Sequence, residues 1–281
     1  DEKETAALYR QAIATLQPMK HDETPQGKDL EITFALEGWE NAKPAERVWL
    51  ESNRVTLETT LRASQRPTCV FYDPQDRSFD SRLDDVRATR QLAWLLMLEG
   101  RRLESEGELD AALDCYVATV RMAHHVVARG DEVQYAIGRG VEVMALARMP
   151  RWAAHADQTP ERIRKAIRQL EILDSTAPSI ADALKTQYIL IRRAVTTDFE
   201  SLMADPRNDK TVASAALMKP YIPWEITRAL RLLDYRTAEA IAYLSEVETA
   251  LARDVPPTPW QPTESAGYAP DTRIDRWAAT P

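Results

Sequence analysis

Apolar residues recur along this chain at steps of three and four, the period that gathers them on one side of an α-helix. From Glu2 to Gln17 the stripe is Ala6, Leu8, Tyr9, Ala12, Ile13 and Leu16, and Pro18 closes it. Pro44 suits the first turn of a second helix, where its missing N–H has no intrahelical partner to lose. That helix runs to about Gln65 and is expected to bury Val48, Leu50, Val55, Leu57 and Leu61. Ser81 to Ser105 carries Leu83, Val86, Leu92, Leu95, Leu96 and Leu98; Glu108 to Arg129 follows as its partner, with Gly130 as the stop. Asp131 to Ala154 reads as a further helix. Thr159–Pro160–Glu161 combines a hydroxyl N-cap, a proline and an acidic first turn, and opens a helix holding Ile163, Ala166, Ile167, Leu170 and Ile172. Two more helices are expected, from Ser179 to Ala204 and from Trp224 to Asp254.

The connecting segments carry weaker signals. His21 to Lys28 is a polar loop, and Leu30 to Trp39 alternates weakly, as a short strand, a helical turn or an extended cover would. Thr68 to Tyr72 is β-prone but has no second strand signal nearby, which makes it an extended connector. Asp205 to Lys210 reads as a loop. Beyond Val255, five prolines from Pro256 to Pro270 exclude a helix, and Trp260, Tyr268 and Trp277 are the only aromatic groups. The tail either lies across the helical body through these rings or serves as a docking peptide. The pattern as a whole predicts an all-α fold of about eight helices in successive antiparallel hairpins, a helical domain over 1–255 and a proline-rich tail over 256–281.

One hairpin has a signature of its own. Gly100 falls where a partner helix would cross, Gly107 makes the turn, Ala112 sits at the second contact, and Tyr116 fills the space beyond. Together with Glu108–Leu109–Asp110–Ala111–Ala112, these residues resemble a tetratricopeptide-type unit over about 93–126. The later proline of that pattern is replaced by His124, and Thr119 stands where alanine is usual. No further copy follows at this period, whereas a solenoid needs about three.

Composition narrows the function classes. The 281 residues can bury a large core, and only 8 are glycine, which favours long helices. Net charge is −8 with both signs interspersed, which argues against a nucleic-acid partner. The pairs Arg101–Arg102 and Arg192–Arg193 are expected on solvated helix faces. No run of about eighteen apolar residues is present to span a bilayer. The chain begins at Asp1 without methionine, consistent with a removed export signal or anchor, or with a trimmed chain. Cys69 and Cys115 fit either buried thiols or, in an oxidising compartment, a disulfide.

No chemistry-bearing motif stands out. The histidines are His21, His124, His125 and His155, and none has metal-ligand spacing; His124 and His125 face different directions on one helix. Gly138–Arg139–Gly140 lies inside a helix without the strand a dinucleotide fingerprint requires. Asp84–Asp85 reads as a capped acidic first turn, and Glu104, Glu106, Glu108 and Asp110 as a solvated cluster around the Gly107 turn. Trp49, Trp94 and Trp152 are expected in the core; Trp39, Trp224, Trp260 and Trp277 fall at loop or helix-start positions. The sequence therefore names no catalytic, cofactor-binding or metal residue.

Several segments resemble a family of uncharacterised bacterial proteins that are exported or held by an N-terminal membrane helix. They are Thr5–Ala6–Ala7–Leu8–Tyr9, Ala63–Ser64–Gln65–Arg66–Pro67–Thr68–Cys69 with Phe71, Arg90–Gln91–Leu92–Ala93–Trp94–Leu95–Leu96, and Pro178–Ser179–Ile180–Ala181–Asp182–Ala183–Leu184. The likeness covers roughly residues 1–200 and implies an extracytoplasmic location and a chain continuing past Pro281. No activity comes with it. The expectation is a non-catalytic helical scaffold for a protein or peptide partner. The alternative is an enzyme or small-molecule binder whose site is built from dispersed residues.

Overall fold

A computed structural model describes residues 2–18, 37–77, 83–194, 222–253 and 255–259, and every regular element among them is helical. In chain order these are α1 (Glu2–Thr15), a 3-10 turn (Trp39–Asn41), α2 (Pro44–Ser52), α3 (Arg54–Ser64), α4 (Asp84–Ser105), α5 (Leu109–Val127), α6 (Glu132–Ala153), α7 (Pro160–Ser175), α8 (Ile180–Arg193) and α9 (Ile222–Ala252). Contacts divide the chain into two compact units. The first is Asp1–Asp73 with Arg82–Pro178, and the second is Pro74–Ser81 with Ser179–Pro281. A boundary thus falls between Pro178 and Ser179, inside the single domain read from the pattern. The expectations for His21 to Lys28, for Leu30 to Leu36, for the end of the helix that starts at Ser179, for Asp205 to Lys210 and for the tail beyond Pro259 lie outside the described residues.

In the first unit α5 packs between α4 and α6, α1 pairs with α3, and that pair lies against α4 and α5. The core they enclose includes Tyr9, Leu50, Leu95, Leu96, Tyr116 and Trp152. The α4–α5 turn is set by Gly107, whose φ of 81° is in the left-handed region. Its N–H bonds the Glu104 carbonyl at 3.1 Å and the Glu108 N–H bonds that of Leu103 at 2.9 Å, the paired closure of a Schellman motif.

Gly100 serves a different end, close approach. A Cβ there would lie 2.3 Å from Cε1 of the buried Tyr116 ring. Gly100→Ala is therefore expected to destabilise by about 1–3 kcal/mol through overpacking, and Gly107→Ala, which meets open space, by about 1–2 kcal/mol through backbone strain alone. Urea denaturation of both variants checks this. A Gly100→Ala protein as stable as the parent would mean that α4 and α5 do not meet at Tyr116. Gly138 also brings helices together, since a Cβ there would stand 2.3 Å from Val127 Cγ2 and 2.8 Å from the Ala123 carbonyl.

The helix expected from Pro44 to Gln65 is broken at Asn53. The Asn53 side chain donates to the carbonyls of Trp49 (2.8 Å) and Gln17 (3.3 Å) and accepts from the Gln17 N–H (2.7 Å), offering the backbone a competing set of bonds. The break also changes which face is inside. Val48 and Val55, expected in the core, are 68% and 67% exposed. The buried stripe of α3 instead includes Thr56, Thr59, Thr60 and Ser64. Thr59, Thr60 and Ser64 bond backbone carbonyls one turn back at 2.8 Å, so burying their hydroxyls leaves no donor unpaired. On α7 only Ala166 is buried, while Ile167 and Ile172 are 50% and 65% exposed. At the end of α5 the left-handed residue is Arg129, with φ 54°, rather than Gly130. Gly130 is required by crowding, its Cβ position lying 2.6 Å from Gln134 Cβ.

Thr159 caps α7 as its sequence predicts, accepting from the Arg162 N–H (3.3 Å), and Ser179 likewise caps α8, accepting from the Ala181 N–H (3.1 Å). In the second unit α8 buries Ala183, Thr186 and Leu190 and packs on α9. Ser179 bonds Glu248 at 2.9 Å, Tyr188 bonds Asp234, and Arg193 bonds the Gln75 carbonyl. Among the described residues no helix is long and apolar enough to cross a membrane.

Candidate functional site

A recess of about 670 Å³ opens in the first unit between the start of α1, the connector after α3, the last turns of α5 and the end of α7. The helical period of α5 builds one wall, since Arg121, His124 and Ala128 recur at three- and four-residue steps, with His125 beside them. The connector supplies Arg66, Pro67, Thr68, Cys69 and Val70; α1 contributes Glu2, and Leu173, Thr176 and Pro178 close the far side. This stretch of chain is an extended connector, as expected, and Cys69 and Phe71 anchor it at 1% and 3% exposure.

The two adjacent histidines have separate partners. His125 is buried, and its Nδ1 lies 3.0 Å from the Tyr9 hydroxyl, while the Arg66 backbone also bonds the ring. The consistent assignment has Tyr9 donating to Nδ1 and the other ring N–H donating to the Arg66 carbonyl, so both nitrogens of a neutral imidazole are used. Burial drives the His125 pKa down from 6.5 to about 4, with the nearby His124 and Arg121 adding to the fall. Tyr9, itself fully buried and held well above its ordinary pKa by burial, stacks on Phe71 at 5.5 Å and meets the His125 ring edge-on at 5.8 Å. His124 instead faces α6. Its Nε2 lies 3.9 Å from Glu142 Oε1, too far for a hydrogen bond, and has no other partner among the described residues. Burial alone would raise the Glu142 pKa, yet His124 and Arg139 hold it below its ordinary value.

Both cysteines are free and buried. Burial pushes the thiols of Cys69 and Cys115 up to about 12, and for Cys69 this overrides the opposing charge of Arg10. Neither thiol ionises near neutrality.

The charge of the recess runs against that of the chain. Arg66, Arg121 and Arg129 face Glu2 alone, a lining of +2 on a protein of −8. Arg129 is 3.6 Å from Glu2 and Arg66 is 3.8 Å from Glu4. Arg121 makes no ion pair among the described residues.

A second polar feature lies between α4 and α6, and it corrects two expectations. Arg101, expected on a solvated face, is fully buried and donates to the Gly38 carbonyl at 2.8 Å. Glu104, expected in a solvated cluster, is 5% exposed. Arg148 grips its carboxylate in a fork (Nε–Oε2 3.0 Å, Nη2–Oε1 2.8 Å), Tyr116 donates to it at 2.7 Å, and Arg148 also donates to the Glu37 carbonyl at 2.8 Å. Two other acids of that cluster pair at the surface, Glu106 with Arg102 and Asp110 with Arg162 and Lys165. This network ties the segment before α2 to the hairpin and pairs the buried Glu104 and Arg148 charges with each other, a structural use of polar groups.

Of the residues singled out in the sequence, His124, His125 and Cys69 come together at the recess, whereas Cys115, Gly138 and the acidic cluster do not. Arg121 and Arg129 carried no sequence signal, and Arg66 stood out only within the Ala63–Cys69 segment. Trp49, Trp94 and Trp152 are core residues at 5%, 9% and 1% exposure, and Arg47 stacks over Trp39 at 4.9 Å. Among the described residues no three histidine, cysteine or acidic side chains gather as a metal site would need. Comparison with protein-family models, with characterised proteins and with solved structures finds no match for this chain.

Proposed function

We propose that this chain is a non-catalytic helical binding module whose first unit holds a small ligand in the recess beside His125. The observation that carries the reading is the state of the groups lining it. A cysteine and a histidine share the recess, the pair from which a thiol enzyme is made. Here the thiol is held near 12, the imidazole near 4, and both ring nitrogens are taken by Tyr9 and Arg66. A nucleophile that does not ionise and a base that does not accept a proton leave shape and charge for binding. A volume of about 670 Å³ is within the range of small-molecule sites. The tetratricopeptide-like spacing of Gly100, Gly107, Ala112 and Tyr116 supports an interaction role, and the family resemblance supports placing it outside the cytoplasm.

Thiol labelling tests the non-catalytic part. Folded protein treated with iodoacetamide at pH 8 is expected to take up label on Cys69 and Cys115 at least a hundredfold more slowly than the urea-unfolded chain, read by mass spectrometry. Labelling of Cys69 in the folded protein as fast as a free thiol would reveal an activated nucleophile and overturn the proposal.

A further inference from the structure

We infer that the recess takes an organic anion with an apolar body: its acidic head, a carboxylate or phosphate ester, against Arg121 and Arg66, and its body along Val70, Pro178 and Leu173. The inference rests on the reading of the recess as a ligand site and adds the chemistry of the occupant. Three observations carry it. The lining is cationic on an acidic protein, so its charge is a local feature that the overall composition opposes. Arg121 has no acidic partner among the described residues, and Arg66 stands 3.8 Å from Glu4, beyond hydrogen-bond distance, which leaves guanidinium donors for a ligand. Beside these charges the wall offers apolar surface from Pro67, Val70, Leu173 and Pro178, interspersed with Gln65, Thr68 and Thr176. A bare inorganic anion would satisfy the arginines and leave that wall wet; a neutral hydrocarbon would do the reverse.

Anilinonaphthalene sulfonate, a fluorescent organic anion, is the direct probe, with its uncharged analogue phenylnaphthylamine beside it. The sulfonate is expected to bind the native protein at one site per chain, at least tenfold tighter than the neutral analogue. Decanoate or octyl phosphate is expected to displace it, the more effective of the two giving the head-group class, and inorganic phosphate is expected not to. Arg121→Glu is expected to weaken the sulfonate at least tenfold. Arg62→Glu, the same charge change at an exposed position on α3 outside the recess, is expected to leave binding unchanged. If charge reversal lowers the melting temperature, Arg121→Gln, which retains the polar stem, carries the same comparison with a smaller loss. Equal binding of the two probes, displacement by inorganic phosphate alone, or an Arg121 variant that binds like the parent would overturn the assignment of the anion while leaving a ligand site. Binding of neither probe to the native protein would instead remove the ligand site itself, and with it the proposed function.

Discussion

Glu104→Ala is expected to destabilise the first unit by about 3–5 kcal/mol. The reason is what the substitution leaves behind. Arg148, with a side chain 2% exposed, loses both charge-assisted bonds to the Glu104 carboxylate, and the buried Tyr116 hydroxyl loses its acceptor. Tyr116 cannot substitute as a charged partner, because burial and the neighbouring carboxylate raise its pKa well above the ordinary value. Arg148→Ala is expected to cost a similar amount from the other side, stranding the carboxylate. The double variant Glu104→Leu/Arg148→Met should lie closer to the parent than either single one, since an apolar pair of similar volume removes both desolvation costs together. Urea denaturation of the four proteins gives the coupling directly. A single variant losing less than about 1 kcal/mol would show that water reaches this pair.

Acidification is expected to weaken the fold before the carboxylates are protonated. The His125 pKa is depressed from 6.5 to about 4 in the folded protein. Above pH 6.5 the ring is neutral in both folded and unfolded chains, so its full contribution is present. As pH falls below 6.5 the unfolded chain takes up a proton that the folded chain refuses, and stability declines by about 1.4 kcal/mol per unit. The loss reaches about 3 kcal/mol near pH 4 and then levels off for this group. Chemical denaturation between pH 7.5 and 4.5 measures the slope. His125→Gln, which keeps an amide donor for the Arg66 carbonyl, is expected to lower stability at pH 7 and flatten the dependence. An unchanged slope in that variant would assign the effect to other groups.

The parts of this fold that depend on nearest neighbours in sequence were legible; the parts that depend on distant ones were not. Thr159 caps its helix because an N-cap bond closes within three residues, and Gly107 takes its left-handed turn for equally local reasons. Helical periodicity places Leu92, Leu95 and Leu96 inside, but it counts threonine and arginine as outside residues. Thr56 and Thr60 are buried nonetheless, Thr60 with its hydroxyl bonded to the helix itself, and Arg101 and Arg148 are buried where carbonyls more than sixty residues away receive them. The same limit hid the recess. Its cations come from positions 66, 121 and 129, and only folding shows that they face one space. His124, His125 and Cys69 were the visible signals there, and the buried His125 answers to Tyr9, more than a hundred residues away in sequence.

The carbonyls of Glu37 and Gly38 reach Arg148 and Arg101 on α6 and α4. This has a bearing on how such a chain could grow. A hairpin excised at the limits of α4 and α5 would carry Arg101 and Glu104 into solvent and lose the Trp152 indole that donates to the Leu109 carbonyl at 2.9 Å. Duplicating it in tandem, the route by which helical arrays lengthen, would therefore multiply uncompensated charges instead of stacking surfaces. Because Tyr9 bonds the buried His125 and Gln17 bonds Asn53, the smallest segment that could be copied or transplanted with its polar interior intact reaches from α1 to Ala153, about three times the length of that hairpin.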